Sequence, residues 1–252
     1  MSGTWISTRV LLPMLVAGMA ACASSGPPLN AVGPTELFER GMAAYEARKW
    51  TEAIRIFERL TFEYPTHPRI QEARFRLADS YFGRKEYVTA ASEFVRLATD
   101  YPTGSWADDA RYKACEAYYK LSPKPALDQE YTRAAIDHCQ SLATYYPTSE
   151  FAPLAQEKVA ELRNKLAMKV LENAEFYYQR KAYDPAILYL EDLLREYPGT
   201  SVVPKALLRL VEIYTRIGYE DEAEAAKRRL LEEYPNTAEA RQAEAISLAR
   251  GP

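Results

Sequence analysis

Histidine, cysteine and glycine are all scarce in this chain. Its 252 residues include two histidines, His67 and His138, three cysteines and 10 glycines. His67 sits in a turn beside Pro65 and Pro68, and His138 adjoins Cys139 on a helix-like run. No group of His, Cys and carboxylate has the spacing of a zinc site. No glycine-rich loop is present to cradle a phosphate. The carboxylate pairs Asp108-Asp109 and Glu232-Glu233 are sequence neighbours, which do not share a helix face. These absences argue against an enzyme and against any metal or organic cofactor. A basic excess is also lacking. The net charge of -3 leaves no electrostatic footprint for nucleic acid, and the 27% of charged residues alternate in sign, as on solvated helix faces.

Tyrosine is abundant at 19, and five tyrosines precede a proline. The pairs are Tyr64-Pro65, Tyr101-Pro102, Tyr146-Pro147, Tyr197-Pro198 and Tyr234-Pro235. Twelve residues before each Pro stands an Ala: Ala53, Ala90, Ala135, Ala186 and Ala223. A fixed offset used five times means one structural unit used five times. The spacing resembles the tetratricopeptide pattern of 34-residue helix pairs. Leu77, Ala78, Tyr81, Ala90, Phe94 and Pro102 fall on its positions in the second unit. The pattern predicts that Gly41 or Ala78 on a first helix faces Ala53 or Ala90 on the second, where small residues let two backbones approach. Proline then ends the unit, because it has no N–H and clashes with the preceding turn.

The fold class that follows is all-α, a tetratricopeptide superhelix of five helix pairs plus a C-terminal capping helix. Helices are expected over about 35–47, 50–64, 68–84 and 86–100. The third unit begins near 105 and carries eight extra residues around Leu121-Ser122-Pro123-Lys124-Pro125, which must form a surface loop. From 149 to about 181 the sole proline, Pro153, falls in a first turn, so one long helix connects front to back repeats. Asp184-Pro185 opens the next helix, the fifth unit spans about 200–234, and a polar helix over 238–249 closes the array.

The amino terminus has a different character. Arg9 precedes an apolar run from Val10 to Ala21, too short to span a bilayer comfortably and fitting a secretory signal. The run ends Met19-Ala20-Ala21-Cys22, which resembles the bacterial lipobox despite Met19 where Leu is usual. That resemblance implies a signal peptide over 1–21, acylation of Cys22 and a lipidated flexible tether over 22–34. Ala23 follows the Cys. An Asp in that place retains proteobacterial lipoproteins at the inner membrane, so its absence implies the outer one. The repeats then divide into 35–148, units one to three, and 149–252, units four and five with the long helix and cap.

Two further residue sets carry expectations. Cys115 and Cys139 occupy the third-unit positions of Ala78 and Phe94. An exported protein meets an oxidising compartment, where such a pair can bridge. The reading preferred from sequence is two small buried thiols, because the second position normally holds a large side chain and its Cα falls beyond bridging distance. The second set is a ladder of rings on the first helices: Phe38 and Tyr45, Phe75 and Phe82, Tyr112 and Tyr119. Within each unit the two are seven apart, on the stripe that faces the groove of tetratricopeptide arrays. Leu171 and Tyr178, then Leu208 and Thr215, continue it with fewer rings. Such a ladder suits an extended, aromatic-rich peptide. The alternative is that the rings pack between neighbouring repeats.

Taken whole, the chain from Cys22 resembles the BamD family, the tetratricopeptide lipoproteins of the outer-membrane β-barrel assembly machine. The lipobox, five units, enlarged third unit and long connecting helix match that order. The stretch from Val159 through Ala167 and Ala174 to Tyr183 is the most family-like. The resemblance implies a non-catalytic scaffold on the periplasmic face of the outer membrane. It implies docking onto a BamA-like barrel-forming protein through the back repeats, and receipt of unfolded outer-membrane proteins by the front repeats. The short, Pro-broken insert departs from the family and puts any contact made there in doubt. The alternative is another periplasmic tetratricopeptide lipoprotein, coordinating envelope or peptidoglycan machinery. An amino-terminal coiled coil would favour that alternative, and residues 23–34 contain none.

Overall fold

The computed structural model describes residues 31–247. The expected signal peptide, Cys22 and nearly all of the tether lie outside the described residues, and the helix predicted over 238–249 ends earlier, at Ala245. Within them the chain forms eleven α-helices and no strand. They are α1 Pro34–Glu46, α2 Trp50–Glu63, α3 Ile70–Gly83, α4 Tyr87–Asp100, α5 Ala107–Leu121, α6 Glu130–Tyr145, α7 Ala152–Gln179, α8 Tyr183–Glu196, α9 Val203–Ile217, α10 Glu220–Glu233 and α11 Ala238–Ala245. Each helix packs on the next, and α11 closes the array against α9 and α10. This is the tetratricopeptide superhelix that the repeated spacing predicts.

The punctuation of the repeat is local chemistry. Helices α2, α4, α6, α8 and α10 each end at the Tyr of a Tyr-Pro pair, whose φ is -130, -132, -132, -127 and -134°. A residue before proline is pushed out of the helical region, so the helix stops there. Each Tyr N–H still donates to a Leu carbonyl four residues back: Leu60, Leu97, Leu142, Leu193 and Leu230. All five leucines are at most 1% exposed, so the last acceptor of each helix is also an anchor of the core. The five repeated alanines are likewise fully buried.

Within four of the units the two helices are joined through one left-handed residue: Arg48, Lys85, Lys181 and Gly218, with φ of 55, 65, 58 and 80°. The third unit replaces that turn with its insert. Gln129, 1% exposed, ties the insert into a knot. Its Nε2 donates to the carbonyls of Lys124, Leu127 and Pro125 at 2.8, 3.0 and 3.3 Å, and its Oε1 accepts from Thr132. Lys165 and Lys169, one turn apart on α7, then hold the insert through Ser122 Oγ at 2.8 Å and the Leu127 carbonyl at 2.7 Å.

A Cβ on Gly41 would come within 2.7 Å of Phe57 Cε1, so Gly41 makes room for the Phe57 ring. One packing expectation needs correction. The same pair of positions in the third unit holds Cys115 and Cys139. These are joined by a disulfide, with Cα atoms 4.7 Å apart and both residues fully buried. The preference for two free thiols is therefore overturned. Its premise was that a large side chain sets the spacing, but with no ring to accommodate the two helices sit within bridging reach.

The 28 residues of α7 make a rod about 42 Å long. Ala155 near its start joins a core cluster with Cys115, Cys139 and Leu142. Ala167, Leu171 and Ala174 join the largest cluster, shared with α8, α9, α10 and α11. One helix thus belongs to two cores.

Candidate functional site

The candidate site is the face formed by the first helices, α1, α3, α5, α7 and α9, where the sequence placed its ladder. The structure splits the six rings. Phe38 is 1% exposed, stacked on His67 at 5.8 Å and edge-on to Phe57 at 6.2 Å. Phe75 is 5% exposed, against Trp106 at 4.6 Å and Phe94 at 5.3 Å. Neither lines a groove, and the expectation that they do is corrected. At their place in the unit the ring turns into the junction where the next segment returns. His67 and Trp106 from that segment close over it.

The other four rings remain half-buried. Tyr45 meets Trp50 at 5.6 Å and donates its hydroxyl proton to Asp79 on the next unit. Burial, then the Asp79 carboxylate, push its pKa up to about 12. Phe82 meets Tyr87 at 5.1 Å. Tyr112 stacks on Phe151 at 4.8 Å, with its pKa raised by burial and then by Glu116. Tyr119 donates to Glu161, and that hydrogen bond, followed by burial, raises its pKa.

What sequence reasoning missed is the partner of each ring. Arg76 lies 5.0 Å over Tyr45, Lys113 lies 5.2 Å over Phe82, and Arg209 lies 3.9 Å over Tyr178. Ring and cation are 31 positions apart in each pair. Tyr119 takes Lys158 at 4.6 Å, 39 positions on, the difference being the eight residues of the insert. Each cation therefore comes from the following unit and covers a ring of the one before. Three residues beyond each of these cations stands an acid that contacts the same array. Asp79 accepts from Tyr45, Glu161 accepts from Tyr119, Glu116 pairs with Lys113 at 3.2 Å, and Glu212 pairs with Arg209. A cation at an offset of 31 from each ring was the available signal, visible only once rings are compared across units. Such contacts contribute about 0.5–2 kcal/mol each, depending on how dry they are. The face can thus hold neighbouring units in register and still present ring edges and paired charges to an extended chain.

Comparison with known proteins gives the family context. The family YfiO, described as an outer membrane lipoprotein, matches residues 30–230. The outer membrane protein assembly factor BamD of Rickettsia prowazekii (strain Madrid E) is 26% identical over 233 residues, which are 91% of this chain and 93% of that protein. The protein of the same name from Vibrio cholerae serotype O1 (strain ATCC 39315 / El Tor Inaba N16961) is 26% identical over 216 residues, 82% of this chain and 90% of its own. Among solved structures, the tetratricopeptide domain of P58(IPK) covers 84% of this chain and 54% of that one, at 15% identity and a TM-score of 0.44.

Proposed function

The chain belongs to the YfiO family of outer membrane lipoproteins, and from that premise we propose that it is a non-catalytic assembly factor for outer-membrane β-barrel proteins. Units one to three receive unfolded clients, and units four and five dock a barrel-forming assembly protein. Acyl chains on Cys22 hold the protein at the periplasmic face of the outer membrane. The relatives' shared name, outer membrane protein assembly factor, supports the general role.

The observation that carries the division of labour is the pairing of two features. The half-exposed rings Tyr45, Phe82, Tyr112 and Tyr119 all lie on α1, α3 and α5. The helix α7 then links the third unit's core to the large cluster behind it, as a rigid spacer would. Rings on a firm surface offer contact area at little entropic cost to a chain that is itself unfolded. Photocrosslinking in living cells tests this directly. A photoreactive residue at Phe82 or Tyr119 should capture unfolded barrel proteins. One at the exposed Leu188 of α8 should capture the assembly scaffold instead. Clients captured equally from both halves would remove the division.

A further inference from the structure

One edge of the array lies where the chain enters the fold. Val32, 6% exposed, joins the core cluster of unit one with Leu60 and Tyr64, at the end of α2. Contacts between helix ends trace that edge onward: Arg69 to Glu39 at 3.3 Å, Arg74 to Asp100 at 2.5 Å, Tyr146 to the Pro102 carbonyl at 2.9 Å and Ser149 to Asp108 at 2.9 Å. On it stands Phe62, in the last turn of α2 and 87% exposed, the most exposed large apolar side chain among the described residues. Tyr145 at the end of α6 and Leu154 in the first turn of α7 follow along the same edge, both exposed.

The carboxylates beside Phe62 are engaged, Glu63 by Arg59 at 3.0 Å and Glu58 by the Tyr81 hydroxyl. Arg55, seven residues earlier on the same stripe, has no ion-pair or hydrogen-bond partner among the described residues. The turn that follows exposes Pro65, Thr66 and Pro68, none of them charged. An exposed ring with uncharged neighbours and a cation behind it suits the boundary between lipid headgroups and acyl chains, where the ring sinks and the guanidinium meets phosphate. The opposite edge has exposed apolar residues as well, Val88 and Leu127 among them, and the position of the anchor decides between the two. Ten residues separate Cys22 from Val32, a reach of at most about 36 Å. The opposite edge lies a helix length further off, about 21 Å for the 14 residues of α2. We propose that the array stands on the Phe62 edge against the bilayer, with the Phe62 ring seated among the headgroups as a second contact beside the acyl chains. The proposal rests on acylation of Cys22 and adds a fixed orientation to it. Helix ends meet the lipid, and the ring face of α1, α3 and α5 stands upright over the surface instead of lying on it.

The test uses the full chain purified from membranes and reconstituted into vesicles of phosphatidylethanolamine and phosphatidylglycerol, with and without bromine on the acyl chains. Phe62→Trp adds an indole at the edge, and Trp50 and Trp106 of the parent chain give the background emission. A ring at the interface sits roughly 5–10 Å into the headgroup and acyl boundary, so brominated lipid should remove about half or more of the added emission. Val88→Trp, at the start of α4 on the opposite edge, should keep its emission. Both positions are exposed, and a melting curve confirms that each variant is folded. Equal quenching of the two added indoles, or quenching of neither, would overturn the proposal. Mass spectrometry of the Cys22 peptide tells two failures apart. An unmodified Cys22 removes the anchor and the orientation with it, whereas a Phe62→Trp indole that stays bright in an acylated chain removes the orientation alone. A photoreactive residue at position 62 that captures a protein in living cells, in place of lipid, would also overturn the proposal, by assigning Phe62 to a protein contact.

Discussion

Arg209 covers the ring of Tyr178 at 3.9 Å and at the same time holds Glu175 through two nitrogens at 3.0–3.1 Å. Tyr178 and Glu175 belong to unit four and Arg209 to unit five, so one guanidinium joins two repeats by stacking and by charge. Lysine has the charge without the planar fork. Arg209→Leu should lower stability by about 1.5–3 kcal/mol, the usual cost of losing hydrogen bonds to a charged group. Arg209→Lys should recover less than half of that loss. Urea unfolding midpoints measure both, and full recovery by Lys would reduce the contact to simple charge pairing.

The disulfide replaces a ring. Cys115 and Cys139 stand where the first unit has Gly41 and Phe57, and they close a segment of 24 residues. A loop of that size restricts the unfolded chain by about 3 kcal/mol. Reduction, or Cys139→Ser, should therefore lower the unfolding free energy by about 2–4 kcal/mol. The double change Cys115→Ala with Cys139→Phe rebuilds the second unit's pair. It should be more stable than Cys115→Ala with Cys139→Ala, by about the worth of a buried ring. If Cys115 and Cys139 can be alkylated in the denatured, unreduced chain, the bridge is absent.

Three within-unit turns place a long side chain where glycine fits best. Lys85 has φ of 65° and its counterpart Gly218 has φ of 80°. The left-handed region costs an L-residue about 1–2 kcal/mol, and glycine returns roughly half of that gain through its freer unfolded state. Lys85→Gly should raise stability by about 0.5–1 kcal/mol, and Gly218→Ala should lower it by a similar amount. Thermal melts in which both changes move the midpoint the same way would refute this reading of the turns.

The array was legible in the sequence because its punctuation is covalent. A Tyr-Pro pair stops a helix wherever it stands, and an Ala twelve residues earlier is a local count. The long helix α7 was legible for the same reason, through the absence of breakers. The direction of a ring was not. Phe38 and Tyr45 lie seven residues apart on one helix, yet Phe38 is covered by His67 and Arg69 from the following turn and Tyr45 is not. That difference depends on how the next segment returns over the helix end, which no helical period encodes. The disulfide was missed for a related reason. The facing of Gly41 and Phe57 is a fact of tertiary contact, and only that contact shows that the two cysteines meet.

Tyr45 gives the array a dependence on high pH. Its pKa is about 12 in the folded chain against 10.0 for a free phenol. Below pH 10 both folded and unfolded chains keep the proton, and the contribution is fully present. Between pH 10 and about 12 the unfolded chain releases it while the folded chain does not, so stability falls as pH rises. Burial also raises Tyr81 and Tyr214, so the whole alkaline slope has several sources. Tyr45→Phe should flatten one part of that slope. Unfolding free energies of the two proteins, compared from pH 9 to pH 12, should converge as pH rises, and a constant difference would place the Tyr45 phenol in ordinary solvent.

The split ladder separates a folding role from a binding role within one helix. Phe75 is 5% exposed and packed on Phe94 and Trp106, whereas Phe82, seven residues on, is half-buried beneath Lys113. Phe75→Ala removes a core ring and should cost about 3–5 kcal/mol, so every activity of the chain falls with the fold. Phe82→Ala together with Tyr119→Ala removes two ring faces that solvent already reaches. Each should cost about 1 kcal/mol or less, near the range of surface changes. If the front repeats hold clients through these faces, that double variant should still weaken binding of an aromatic-rich barrel-protein peptide about tenfold. Two lost ring contacts at about 0.5–1.5 kcal/mol each are enough for that. Isothermal titration with a barrel-protein peptide, alongside a melting curve, separates the two effects. Unchanged affinity in a variant that remains folded would exclude these rings from client binding and move the client surface elsewhere.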